Sequence, residues 1–259
     1  MFPLRTAVRH RLRIAPAILL PLLILAVGIR PEAAAAAAAD TEIALSLAEM
    51  MRSARAVIAT QQERINDPAV GDKGLSGEVV LAKAVEIYLT RTGRDPRKVS
   101  AKTQHGRLLR AQMAAIREVM DENQKTINRK GLGFKGFVPA VFTRLVNERF
   151  GQKVGQEATI KVTGPPDLVR NRKALPDPWE AAVIRDRLMA PDWPSGEVLS
   201  ARVSQDGREA LRVLVPEYYG ASCLACHGGP RGSLDLTGYP MEGGQIGELG
   251  GVISITLFR

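Results

Sequence analysis

Val198-Leu199-Ser200-Ala201-Arg202-Val203, then Asp206-Gly207, then Ala210-Leu211-Arg212-Val213-Leu214-Val215, reads as two alternating runs around a tight turn. Asp-Gly accepts the positive φ of a two-residue hairpin turn, and period-two alternation suits strands with one buried face. Working outward, Ala158-Thr159-Ile160-Lys161-Val162-Thr163 alternates in the same way until Pro165-Pro166 closes it, and Gly250–Phe258 supplies a last apolar strand.

Upstream of these strands the apolar period lengthens. Ile43, Leu47, Met50, Ala54, Val57 and Ile58 form a helical stripe, which Asn66-Asp67-Pro68 stops. A second helix is expected over Glu78–Thr90 and a third from about Ser100 to Asn128, ended by Gly131 and Gly133. A shorter one after Pro139 carries Val141, Phe142, Leu145 and Val146, and Asp177-Pro178 introduces another over Trp179–Met189. Helices first and antiparallel strands later predict an α+β fold. The organisation expected is a signal segment over residues 1–39, a helical region over 40–130 and a cofactor-bearing domain over 131–259.

The only two cysteines of the 259 residues fall in Cys223-Leu224-Ala225-Cys226-His227, directly after the hairpin. C-x-x-C-H is the attachment signature of c-type haem. Two thiols at this spacing can form thioethers to the two vinyl groups of one porphyrin, and the adjacent imidazole then binds the iron. The expected cofactor is one covalent haem c, with Cys223 and Cys226 as attachment points and His227 as metal ligand. A thioredoxin-like dithiol is disfavoured because Gly228-Gly229-Pro230 prevents a long helix from following. A structural zinc site falls short of four ligands, since His105 and His227 are the only histidines beyond the first thirty residues. A disulfide within the pentapeptide would close a very small loop and leave the histidine unexplained.

Arg5, Arg9, Arg11 and Arg13 precede an apolar stretch from Ile14 to Ile29, and Ala33–Ala39 then offers small-residue cleavage sites, as in an export signal. The apolar stretch is short for a bilayer span and holds Pro16 and Pro21. A periplasmic protein is therefore expected, and membrane association only if this segment is retained. The whole chain carries +9; removing residues 1–39 leaves 31 basic and 26 acidic residues, a net charge of +5. Such a charge can steer an acidic partner. With few aromatics and no nucleic-acid motif, nucleic acid is not an expected partner.

Three segments together carry a resemblance: GFKGFVPAVFTRLVNERFGQKVG, RNRKALPDPWEAAVIRDRL, and CLACHGGP followed by GQIGELGGVISITL. They resemble the PAS-like, single c-type haem domain family of bacteria over roughly residues 130–259. The resemblance implies a PAS-like antiparallel sheet with long flanking helices, and a domain that reports redox state or binds small ligands. By position it implies that Cys223 and Cys226 attach the haem, that His227 is the proximal ligand, and that Arg170-Asn171 with Pro176-Asp177-Pro178-Trp179-Glu180 builds a wall near it. Many members carry a cysteine shortly before the proline that is Pro139 here, as a distal ligand. This chain has Phe134 and Lys135 in that neighbourhood, so a distal cysteine is excluded.

For the sixth iron position the sequence leaves His105, Met50, Met51, Met113, Met120 and a vacant site open. Trp179 and Trp193 are core anchors or porphyrin neighbours, and Arg170 and Arg172 are candidate partners of the haem propionates, since a guanidinium meets a carboxylate bidentately. The function expected is redox or small-ligand sensing, with output through a signalling or redox partner protein. The alternative is a small electron carrier. An enzyme is disfavoured, because only His105 could serve as a distal acid–base group.

Overall fold

A computed structural model describes residues 31–259 apart from Asp206. The basic and apolar parts of the expected export signal lie outside the described residues. The described residues open with helices α1 (Pro31–Thr60), α2 (Gln62–Asn66), α3 (Gly77–Thr92), α4 (Gln104–Glu122), α5 (Gln124–Ile127) and α6 (Pro139–Val154). Ser76 and Thr103 cap α3 and α4 by accepting from backbone amides in the first turn. Gly93 ends α3 in the left-handed conformation. The single helix expected from Ser100 to Asn128 is split at Asn123, whose side-chain amide donates to the Val119 carbonyl at 2.7 Å. A polar side chain that satisfies the preceding turn competes with the regular helical pattern.

Four strands follow: β1 (Ala158–Thr163), β2 (Leu199–Gln205), β3 (Arg208–Tyr218) and β4 (Leu249–Phe258). They form one antiparallel sheet in the order β1-β4-β3-β2, with Val213 opposite Ile255 and Ile255 opposite Ile160. The fold is α+β, with the helices preceding the sheet as expected. Alternation along β3 divides the sheet into two faces. Leu211, Val213 and Val215 join Ile253, Ile255 and Leu257 in one core with Leu47, Met51, Ile58, Leu109, Phe142 and Phe150. Burying each such side chain contributes about 1.5–3 kcal/mol, which fastens the helical layer to the sheet.

The opposite face is smaller. Leu214 and Val252 pack there with Ile184 and Leu188, bordered by half-buried Trp179, Val183, Trp193, Leu199 and Leu249. The covering element is α7 (Pro178–Val183), continued by a π-helical turn over Ile184–Leu188 where α-helix was expected throughout. Asp177 caps α7 in a reciprocal box with Glu180. Glu180 is itself buried and pairs with Arg212 of β3 at 2.9 Å and Lys161 of β1 at 2.8 Å. The Arg212 guanidinium lies 4.3 Å from the Trp179 ring centroid. Among the described residues, no helix is long and apolar enough to cross a membrane.

Candidate functional site

Strand β3 leads directly into the cysteine motif. Its register shifts between Glu217 and Tyr218, and Tyr219 then donates its amide to the Glu248 carbonyl at 2.9 Å. Ala221–Cys223 forms a 3₁₀ turn and α8 (Leu224–His227) a single helical turn. At Gly228 a Cβ would stand 2.6 Å from the Leu224 carbonyl oxygen, so the turn can end only at a residue without one. The returning chain lies against this turn: Gly243 donates to the Gly228 carbonyl at 2.8 Å, and Gly244 to that of His227 at 2.7 Å. That pairing places the Glu242 side chain beside the His227 ring.

His227 Nδ1 lies 3.0 Å from Glu242 Oε2. An ionised carboxylate can only accept, so Nδ1 carries the proton. The Arg170 guanidinium occupies the centre of the site, donating from Nε to Glu242 Oε1 at 3.0 Å, from Nη1 to Asp235 at 2.6 Å and from Nη2 to the Cys226 carbonyl at 2.8 Å. Asp235 also accepts from the Thr237 amide and hydroxyl and from the Tyr239 amide. Burial works to raise both carboxyls. Hydrogen bonds from Thr237 and Arg170 hold Asp235 far below the usual range, and chiefly the bond from Arg170 keeps Glu242 low.

Tyr219 stacks on the His227 ring with centroids 5.3 Å apart and planes inclined by 24°. Gly244 and Gly250 give the phenol its room: a Cβ on either would overlap the ring. The hydroxyl is buried and has no hydrogen-bond partner among the described residues. Burial, reinforced by the nearby Glu242, pushes its pKa up to about 12.

Cys223 and Cys226 are free and half-buried. Burial first, and then Asp235, pushes the Cys226 thiol up. A reactive dithiol depends on a stabilised thiolate, whereas this environment favours a neutral sulfur, as a thioether is. Among the described residues, no three His, Cys, Asp or Glu side chains group to hold a metal ion on their own.

The structure thus brings Cys223, Cys226, His227 and Arg170 together. Trp179 is elsewhere on the second face of the sheet, against Arg212, in the apolar cluster that also takes in Trp193 and Leu249. Leu249 is the register partner of Tyr218, so this cluster borders the strand end that carries the motif. Arg172 is exposed on a 3₁₀ turn. Met50, Met51, Met113 and Met120 are buried in the main core between helices and sheet. His105 opens α4 near Glu42 and Arg94, where burial lowers its pKa. Glu42 precedes Arg52 by ten residues of α1, about 15 Å of helix. Arg52 and Arg55 clasp Glu217 at the end of β3. His105 is therefore at the opposite end of the sheet from His227.

A family model described as Tll0287-like matches residues 97–257, well over half of the chain. The chain belongs to the Tll0287-like family. This is a family of c-type haem-binding domains. The Tll0287-like region takes in α4, α5, α6 and the whole sheet, and so begins upstream of the segments that carried the resemblance. No curated protein and no solved structure matches the chain.

The residues present fit a c-type haem. Glu242 holds the Nδ1 proton of His227, so Nε2 is left as the ring's lone-pair donor. Both thiols of the motif are free, and the Tyr219 hydroxyl is a buried polar atom with no partner among the described residues. Glu242, Asp235 and Tyr219 escape a reading of the sequence. Asp235-Leu236-Thr237-Gly238 has the look of an Asx-turn, which would have located the bend but not the salt bridge to Arg170. Nothing local marks Glu242 or Tyr219.

Proposed function

We propose that the protein is an exported, single c-type haem protein that senses redox state or a small ligand and passes the change to a partner protein. The observation that carries this reading is the carboxylate-oriented His227 directly after Cys226 and four residues after Cys223, both of them free thiols. When bound, a haem supplies an iron that changes oxidation state or takes up a ligand. The protein's own residues do the rest: Cys223 and Cys226 hold the group covalently, His227 donates from Nε2, and Glu242 fixes the ring.

The sensing role draws support from the connection between the motif and α1. Cys223 follows six residues after Glu217, and Glu217 is gripped by Arg52 at 2.5 Å and by Arg55. A displacement of the motif that carries the end of β3 with it therefore bears on a helix of 30 residues. An electron carrier needs no such linkage. Signalling or electron-accepting proteins are the partners this reading expects, and nucleic acid is not.

The test is the visible spectrum of the ferrous protein, produced together with c-type haem assembly machinery, before and after carbon monoxide. A spectrum changed by carbon monoxide supports ligand sensing, and an unchanged low-spin spectrum supports redox sensing or electron transfer. Cys223→Ala with Cys226→Ala should abolish covalent pigment; pigment that survives acid–acetone extraction in that variant would falsify the attachment.

A further inference from the structure

We infer that Glu242, with its second oxygen held by Arg170, is a positioning residue that fixes the electron-donating power of His227 and so lowers the reduction potential of the haem. The inference rests on the haem reading above and concerns one step beyond it. Of the groups that can accept a proton from an imidazole Nδ1, a backbone carbonyl is neutral, and here the acceptor is a carboxylate at 3.0 Å. Burial limits the solvent that would screen its charge: the Glu242 side chain keeps 13% of its exposure. A negative charge on one side of the ring pushes electron density towards Nε2, which favours the more positive ferric iron over the ferrous.

Arg170 makes this arrangement adjustable. Its Nε binds Glu242 Oε1 while Oε2 faces His227, so one carboxylate is divided between a full cation and a ring N–H. The guanidinium withdraws part of the charge that would otherwise act on the imidazole. Asp235, fully buried and bound to Nη1, returns some negative charge to the guanidinium. The chain Asp235–Arg170–Glu242–His227 is continuous through contacts of 2.6, 3.0 and 3.0 Å. Tyr219, stacked on one face of the imidazole, packs against the ring while its Nδ1 edge meets Glu242.

The experiment is a redox titration of the haem-loaded full chain and of Glu242→Gln, with covalent haem content measured in both. Glutamine keeps an oxygen that accepts from Nδ1 and removes the charge, so a residue that only braces the loop would leave the potential where it was. Loss of an outer-shell partner typically costs about 10–100-fold in metal affinity or activity, and the lower end of that range sets the scale here. The expected result is a rise in potential corresponding to about a tenfold shift of the ferric–ferrous equilibrium, about 59 mV for one electron. An unchanged or lowered potential at full haem content overturns the inference. A second measurement covers a variant that fails to mature: ¹⁵N chemical shifts of His227 in the unloaded wild-type protein under alkaline conditions. Protonated Nδ1 and bare Nε2 support the arrangement, and the reverse tautomer overturns it. Wild-type protein without covalent haem would instead sink the haem reading, whatever the tautomer.

Discussion

The guanidinium of Arg170 donates to the carbonyl oxygen of Cys226 at 2.8 Å, joining a loop beyond β1 to a turn 56 residues further along the chain. The same side chain neutralises Asp235, whose carboxylate is fully buried. Removing it strands that charge. Loss of one partner of a buried ion pair costs about 3–5 kcal/mol, and the partial exposure of Arg170 reduces this to about 2–4 kcal/mol. Arg170→Met should therefore lower the urea midpoint of the unloaded protein markedly, and a change under about 0.5 kcal/mol would contradict the bracing role.

The same carboxylates make stability depend on pH. Asp235 and Glu242 titrate lower in the folded chain than their ordinary values of 3.8 and 4.5. In the acid range the unfolded chain thus binds more protons. Their contribution is complete above about pH 5 and drains away as pH falls through the folded values. Urea unfolding at pH 7, 4 and 3 should show a steeper loss in the wild type than in Arg170→Met, whose carboxyls have lost their cation. Parallel curves would remove these two groups as the cause.

Tyr219 and Gly250 offer a test of packing. A Cβ on Gly250 would overlap the tyrosine ring, so Gly250→Ala should destabilise by about 1–3 kcal/mol. Trimming the ring should relieve that strain, making Gly250→Ala nearly harmless in a Tyr219→Ala background. A double-mutant cycle measures the coupling, and additive effects would mean that the two do not compete for space.

On the second face, Glu180 accepts from Arg212 and Lys161 while completing the cap of α7. Glu180→Ala leaves Arg212, nearly buried, with Asp177 as its remaining carboxylate. A loss of about 3 kcal/mol is expected by thermal unfolding, accompanied by increased exposure of Trp179 in its fluorescence. Unaltered emission would indicate that α7 is held by Ile184 and Leu188 alone.

Much of this architecture was legible in local patterns. Asp206-Gly207 between alternating runs announced the β2–β3 hairpin, and the Ile43-to-Ile58 stripe announced α1. The three residues of the motif could be named from spacing, because attachment to one porphyrin imposes that spacing. The partners of His227 could not. Glu242 reaches the ring only because Gly243 and Gly244 pair with the turn after the motif, and Arg170 arrives from the loop beyond β1, 56 residues before Cys226. Such contacts depend on register between distant segments, which no window of residues encodes. The break at Asn123 and the π turn at Ile184 were hidden for a related reason: each changes which carbonyl an amide meets, with no glycine or proline at that point to mark it.

Strand β4 lies between β1 and β3 yet follows both in the chain. As the polypeptide is made, β1 therefore waits for its one strand neighbour until some ninety residues later have emerged, with the cysteine motif produced in the interval. Loss of the final ten residues would empty the middle of the sheet rather than trim its edge. The order of synthesis therefore puts both thiols on a sheet that still lacks one of its two inner strands.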